Sequence, residues 1–119
     1  MHADARLNVV AVFGPEHGFR GDRQAGEGED FYVDAQTQLP VFSVYGKRGT
    51  ALVNILRNST AEALVFDIQD CGVRFYTYMW TMYDCMVAAA ELGLEFVVLD
   101  RPNPLGAERV AGPVLKPEF

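Results

Sequence analysis

The sequence predicts an α/β domain with a Rossmann-like parallel sheet and helices on its faces. Three mostly apolar runs, 7–13, 63–70 and 95–100, are short and rich in β-branched residues, as expected of strands buried on both faces. A largely apolar segment of helical length, 74–93, lies between the last two runs. Strands that alternate with helices favour a parallel sheet with right-handed crossovers.

The elements follow in chain order from this pattern. The first strand ends at Gly14 and Pro15, and residues 14–40 are rich in glycine and acidic residues. Such long irregular loops are usually functional or mobile. The remaining predicted elements are a strand at 40–46, a helix at 50–58 with Thr50 as N-cap, a strand at 63–70, a helix at 74–93 stopped by Gly93, and a strand at 95–100.

The composition indicates one globular domain of 119 residues and excludes several classes of function. A net charge of −6 disfavours binding to nucleic acid phosphates. No run approaches the roughly 18 apolar residues of a membrane span. The N-terminal residues lack the features of a secretory signal, which leaves the cellular compartment open. Cys71 and Cys85 have no ligand-like spacing, and we expect them to be reduced thiols.

Polar side chains follow three of the predicted strands, at the point where each strand ends. In open parallel sheets, ligands bind outside the carboxyl ends of the strands. We therefore expect these side chains to line one crevice: Glu16, His17 and Arg20 after the first strand, Asp67, Gln69, Asp70 and Arg74 after the third, and Asp100, Arg101 and Asn103 after the fourth.

Each of these residues also has a local structural role open to it. An aspartate can cap a helix or order a turn, and an arginine can hold a loop through an ion pair. The local alternatives are an Asp100–Arg101 pair that holds the turn at 102–104, Asp70 as a cap for a helix near Arg74, His17 bonded to loop backbone, and Arg20 paired with Asp22 or Glu27.

The motifs present favour carboxylate chemistry. Glycine-rich phosphate loops and a serine nucleophile elbow are absent from the sequence. A metal site from His17, Asp67 and Asp70 is conceivable but lacks a spaced ligand pair, so we expect no metal and no cofactor. A protonated carboxylic acid beside an ionised one is typical of glycoside hydrolysis. Tyr76 and Tyr78 could stack on a sugar, whereas Trp80 is expected in the core.

The segments GPEHGFRGD, LPVFSVYG, LVFDIQDCGVRFYTYMWTM and FVVLDRPNPLG occur in this order. In this, the chain resembles a bacterial domain family first catalogued without a function and now associated with exo-β-N-acetylmuramidases of the NamZ type (glycoside hydrolase family 171). The resemblance runs from about Leu7 to Phe119. It implies a two-domain parent protein in which a Rossmann-like N-terminal domain and a C-terminal domain, absent here, enclose the active site. A strand and helix that usually precede the GPEHG strand in this family are also missing, so an incomplete domain is expected.

The resemblance implies an enzyme that removes N-acetylmuramic acid from the non-reducing ends of peptidoglycan fragments. Glu16 matches the expected catalytic carboxylate, with Asp67 or Asp70 as support or second carboxylate. The other strand-end residues, with Tyr76 and Tyr78, would bind the sugar. The alternative is a non-catalytic sugar-binding or assembly module. Because helix 74–93 is apolar almost all round, the chain is also expected to self-associate.

Overall fold

The computed structural model describes residues 1–118 and has a mixed α/β architecture of two helices and two small sheets. The helices pack on each other, and each parallel strand pair is formed by strands that are separate in sequence. In chain order the elements are β1 (Val12–Gly14), β2 (Tyr32–Val33), β3 (Pro40–Ser43), α1 (Gly49–Asn58), β4 (Ala63–Phe66), α2 (Tyr78–Leu92) and β5 (Glu95–Val98).

Each of the two sheets contains one parallel strand pair, whereas the sequence predicted a single parallel sheet. In the first sheet, ordered β1-β3-β2, β1 is parallel to β3 and β2 is antiparallel to it. In the second sheet β4 and β5 are parallel, with Leu64 opposite Phe96. Within residues 1–118 no ladder joins the two sheets. The parallel alignment places the carboxyl ends of β4 and β5 at one edge.

The strands are shorter and more exposed than predicted. β1 begins at Val12 rather than at residue 7. The expectation of burial on both faces is wrong for β5, where Val97 and Val98 are exposed and only Phe96 packs against the core. The physical reason is that within residues 1–118 β5 is paired along one side only, with β4. Its other edge is open.

A compact core lies where α1 and α2 meet the sheets. Leu52, Val53 and Leu56 form the buried face of α1 at the spacing of an amphipathic helix. They pack with Leu64 of β4 and with Cys85 and Ala88 of α2. The predicted N-cap Thr50 is wrong, because the helix begins at Gly49 after Arg48, which makes no side-chain capping bond.

Helix α2 begins at Tyr78 and not at residue 74 as predicted. The preceding backbone is bent away from helical geometry at Gly72, whose φ is +66°, and Asp70 accepts a hydrogen bond from the Gly72 amide at 3.2 Å. Arg74 and Phe75 form a turn, closed by a hydrogen bond that the Tyr76 amide donates to the Val73 carbonyl at 3.1 Å. The predicted end is confirmed, because Gly93 adopts a left-handed conformation with φ of 69° directly after the last helical residue.

One face of α2 is apolar and exposed, and its opposite face is made of small residues. Ala88, Ala89 and Cys85 are buried, which lets α2 approach α1 closely. The exposed face carries Met79, Trp80, Tyr83, Met86 and Val87. The expectation that Trp80 is a core residue is wrong, since the side chain is 57% exposed. Self-association through this exposed face stays a prediction. Among residues 1–118, neither helix has the length and apolarity needed to cross a bilayer.

Candidate active site

Glu16 lies just beyond β1, between the loop that follows this strand and the first turn of α2. Its Oε1 accepts a hydrogen bond from the Gly26 amide at 2.7 Å, and its Oε2 accepts one from Thr77 Oγ1 at 2.5 Å. The Tyr78 hydroxyl donates to the Glu16 carbonyl at 2.9 Å. Tyr45, just after β3, lies near the carboxylate and makes a small contribution to lowering its pKa. We call this group of residues (Glu16, Gly26, Tyr45, Thr77 and Tyr78) the Glu16 centre.

The surroundings of Glu16 favour its ionised form. The Thr77 hydroxyl, followed by the Gly26 amide, lowers the pKa of the Glu16 carboxyl, and these donors outweigh the opposing effect of burial. Burial raises the pKa of the neighbouring Tyr78 hydroxyl, and the negative charge of Glu16 raises it further. A carboxylate has about four lone-pair positions, so two donors leave it able to accept another proton or hydrogen bond.

The loop around Glu16 is fixed by its own polar residues. The predicted bond of His17 to loop backbone is confirmed, with Nδ1 3.0 Å from the Arg23 carbonyl. Arg20 also anchors the loop, but the predicted partners Asp22 and Glu27 are wrong. Its guanidinium pairs at 2.5 Å with Asp34, a buried residue beyond β2. This pair, helped by Thr37, lowers the pKa of Asp34 to about 2.

Glu29 holds the same loop from inside. Its Oε1 accepts a hydrogen bond from the Phe19 amide at 2.8 Å. The carboxylate lies against Gly14 and Gly18, where a Cβ atom at Gly14 would overlap it and would also come within 2.9 Å of the Phe19 amide nitrogen. Glycine at position 14 is therefore needed for the close approach of the Glu29 side chain.

A second polar group joins the ends of β4 and β5. Arg101 forms an ion pair with Asp67 at 2.5 Å and donates to Gln69 Oε1 at 3.0 Å. Asp70 orders the turn at Gly72 and accepts a hydrogen bond from Asn103 at 3.3 Å. We call Asp67, Gln69, Asp70, Arg101 and Asn103 the strand-end cluster. Two local alternatives are not observed: Arg101 pairs with Asp67 rather than with Asp100, and Asp70 bonds to Gly72 and Asn103 rather than capping a helix.

Tyr76 and Tyr78 connect the two groups. Their rings meet edge to face with centroids 4.6 Å apart. Burial, with smaller contributions from Cys71, Tyr78 and Asp70, raises the pKa of Tyr76 to about 12. Tyr76 thus lies between Tyr78 of the Glu16 centre and the charge of Asp70 in the strand-end cluster. Arg74 points elsewhere and donates to the Pro113 carbonyl, and Asp100 is exposed.

A cavity of about 480 Å³ opens beside the Glu16 centre. Tyr45 lines it and lies near Glu16, which itself is not a lining residue. Its other lining residues include Arg23, Tyr32 and Lys47. The volume lies within the range of about 300–1,000 Å³ typical of ligand pockets. Among residues 1–118, histidine, cysteine and acidic side chains form no group of three or more that could hold a metal ion.

Thr77, Tyr45, Glu29 and Asp34 were not predicted as site residues. Thr77 offered a signal, since threonine before an apolar helix is a common N-cap. Its side chain makes no capping bond and binds Glu16 instead. The contacts of Glu29 and Asp34 join residues 10 and 14 positions apart within an irregular loop, where no periodicity marks a partner.

Comparison with known proteins gives a consistent assignment. Residues 1–119 match the family described as "Exo-beta-N-acetylmuramidase NamZ, N-terminal". The chain is 48% identical over 119 residues to the "Peptidoglycan beta-N-acetylmuramidase NamZ" of Bacillus subtilis (strain 168). All of this chain is aligned, and it spans 28% of the length of that relative. No solved structure matches the chain.

Proposed function

Because this chain belongs to the exo-β-N-acetylmuramidase NamZ N-terminal family, we propose that it supplies Glu16 as a catalytic carboxylate of a glycosidase. The proposed two-domain parent removes N-acetylmuramic acid from the non-reducing ends of peptidoglycan fragments, a reaction suited to cell-wall recycling. The observation that carries this proposal is the position of Glu16, just beyond a parallel strand, with both carboxylate oxygens fixed by hydrogen bonds. A cavity lined by Tyr45 lies nearby.

The lowered pKa gives Glu16 a specific part in the reaction. Glycosidases use one protonated carboxyl group as acid and an ionised one as base, nucleophile or charge stabiliser. Glu16 is held ionised by Thr77 and Gly26, so we assign it to the second role. There its negative charge would stabilise the positive charge that develops on the sugar ring in the transition state. The proton would come from another group.

Asp70 is the better candidate than Asp67 for a supporting carboxylate. It lies beside Tyr76, whose ring contacts Tyr78 of the Glu16 centre. Asp67 has its charge balanced by Arg101 at 2.5 Å. The sugar would contact the tyrosines, with His17, Arg20, Gln69 and the strand-end residues acting mainly through the loops they hold. Arg74 and Asp100 have the weakest support for a role in binding.

We also propose that the two small sheets are parts of one Rossmann-like layer. Phe13 of β1 packs against the core cluster that contains Leu64 of β4. This contact supports a position for β1 between β3 and β4, which would align the ends of β1, β4 and β5. An experimental structure of the two-domain parent that separated β1 from β4 by another strand would contradict it.

The decisive experiment compares two glutamates of the same loop in the two-domain parent. Glu16→Gln should lower turnover of a chromogenic β-N-acetylmuramide by about a hundred- to ten-thousand-fold, the range for losing a group that stabilises transition-state charge or transfers a proton. Glu27→Gln removes an exposed carboxylate nearby and should leave turnover unchanged. Thermal unfolding of both variants should stay close to wild type. Full activity of Glu16→Gln, or its unfolding, would show that Glu16 is structural.

The second candidate is a sugar-binding module without catalysis. It is favoured by the strand-end cluster, whose acidic side chains are engaged in bonds to Arg101, Asn103 and Gly72 rather than free. The 119-residue chain would then bind N-acetylmuramic acid but release no product. If the two-domain parent binds the sugar but does not cleave the muramide, this candidate replaces the first.

A further inference from the structure

We propose that the cavity beside Glu16 recognises the lactyl carboxylate of N-acetylmuramic acid, with Lys47 as the residue that determines specificity. This inference rests on the proposed function and names the substrate group that the cavity binds. N-acetylmuramic acid differs from N-acetylglucosamine only by a lactyl ether that carries a carboxylate. An enzyme that selects the first sugar therefore needs a cation placed to meet that carboxylate.

Lys47 supplies such a cation. It follows β3, lies two residues after Tyr45, and lines the cavity with it. Within residues 1–118 its ammonium group forms no ion pair. The neighbouring Arg48 is different, because it donates to Asp84 at 3.1 Å and lies outside this cavity. Lys47 therefore places an unpaired positive charge at this cavity, in a chain of net charge −6.

The other charges of the cavity leave room for an anion. Arg23 adds a second cation, which is only 3.9 Å from the exposed Asp22. Glu29 lines the same cavity, but its carboxylate is held between Gly14 and Gly18 and bonds to the Phe19 amide at 2.8 Å. Asp30 is the exposed acid that remains at the cavity. Two cations therefore face one unengaged carboxylate.

The remaining walls suit a sugar ring. Tyr32 and Tyr45 are half-buried, and Phe31 is exposed at the same cavity. Ser43 offers a hydroxyl. Aromatic faces beside a few convergent polar groups are typical of a small-molecule site. Tyr45 lines the cavity near Glu16, and Arg23, another lining residue, bonds through its backbone to His17, the residue after Glu16. A sugar held here would therefore have its ring close to the proposed catalytic carboxylate.

The test measures binding of two free sugars to the 119-residue chain by NMR titration. The wild-type chain should prefer N-acetylmuramic acid to N-acetylglucosamine by about tenfold, the size expected of one charge-assisted hydrogen bond. Lys47→Met should abolish this preference, and Lys47→Arg should keep most of it. Lys116→Met removes the only other lysine of the chain and should change nothing. The methyl ester of N-acetylmuramic acid should bind like N-acetylglucosamine.

These binding results test the recognition of the lactyl carboxylate, and they do so independently of whether the protein is an enzyme. Equal binding of both sugars by the wild-type chain, or an unchanged preference in Lys47→Met, would overturn it. An equal loss in Lys116→Met would show a general charge effect and would also overturn it. Catalysis is measured by the Glu16→Gln comparison in the two-domain parent. A chain with the sugar preference whose parent lacks hydrolysis would keep this inference and reject the enzymatic one.

Discussion

The Glu16 centre and the strand-end cluster are both built from carboxylates beyond parallel strands, yet they balance charge in opposite ways. Glu16 is bonded to neutral donors, Thr77 and the Gly26 amide. Asp67 is bonded to a cation, Arg101. Neutral donors stabilise an anion without cancelling its charge, whereas an ion pair cancels it locally. Only the first arrangement leaves a net negative charge to act on a ligand.

The two groups also differ in the contacts that hold them in place. The Glu16 centre is held by interactions reaching across a long loop, including the buried partner Asp34 and the half-buried Glu29. The strand-end cluster is largely exposed, and its bonds join two adjacent strand ends. Buried contacts that fix one geometry are expected where a group must be pre-positioned. Substitutions in the two groups should therefore differ in the size of their effects.

Gly14→Ala should have the largest effect. The added Cβ would overlap the Glu29 carboxylate and press on the Phe19 backbone, which costs about 2–3 kcal/mol in a well-packed site. Gly21→Ala is a matched control in the same loop, because no atom lies within 4 Å of its added Cβ. Its φ of 71° still costs about 1–2 kcal/mol for alanine. Urea unfolding of both variants measures the difference, and equal losses would contradict the packing argument.

The second largest effect is expected when the pH is lowered, because acid weakens the Arg20–Asp34 ion pair. Arg20 and Thr37 hold the folded pKa of Asp34 at about 2, below its ordinary value of 3.8. A depressed folded pKa contributes stability that is complete above the unfolded pKa and is lost as the pH falls through the folded one. Thermal unfolding should therefore show a loss between about pH 4 and 2 that is smaller in Arg20→Gln. An identical acid response in Arg20→Gln would show that the pair does not anchor the loop.

Thr77→Val should change the pH dependence of catalysis more than stability. The lost hydroxyl is the main cause of the lowered pKa of Glu16, so that pKa should rise toward its ordinary value. The acid limb of kcat/KM for the two-domain parent should then move to higher pH, because Glu16 must be ionised to act. Thr77→Ser keeps the hydroxyl and should keep the wild-type limb. If the acid limb moved in Thr77→Ser but not in Thr77→Val, the hydroxyl of residue 77 would not be the cause of the lowered pKa of Glu16.

The smallest effect is expected at the strand-end cluster. Asp67 and Arg101 are 55% and 41% exposed, and exposed ion pairs contribute about 0–1 kcal/mol. A double-mutant cycle of Asp67→Asn and Arg101→Met should give a coupling of that size, reduced further by salt. A coupling above about 2 kcal/mol would show that this cluster is as firmly built as the Glu16 centre.

The sequence predicted the elements well where apolar runs carried the information. The cores of β4 and β5 and the end of α2 at Gly93 were found from such runs and from one glycine. The start of α2 was missed because the aromatic residues Phe75 and Tyr76 continue the composition of the helix, while the turn at 73–76 depends on a backbone hydrogen bond that composition does not indicate. The exposure of Trp80 was missed because a helix that is apolar all round does not indicate which face is buried.

For the candidate site, the sequence predicted the position of Glu16 but not the residues that bond to it. The position of Glu16 beyond β1 followed from where an apolar run stops. The partners of that carboxylate did not, because Thr77 lies 61 residues away in sequence and reaches it through the packing of α2. The same limit applies to Arg20, whose nearest acids in sequence are not its partner. Pairing across a folded loop depends on the path of the backbone, which local pattern does not encode.

The two cysteines are both free, as predicted, but they are unequally buried. This difference makes the chain suitable for a spectroscopic label at a single site. Burial raises the pKa of the Cys85 thiol to about 12, so it should not react with a maleimide at neutral pH. Cys71 is partly exposed and lies beside Tyr76, which lies between the two polar groups. A fluorophore attached there should report sugar binding as a change in emission. Thiol titration should count one fast thiol in the native chain and two after unfolding.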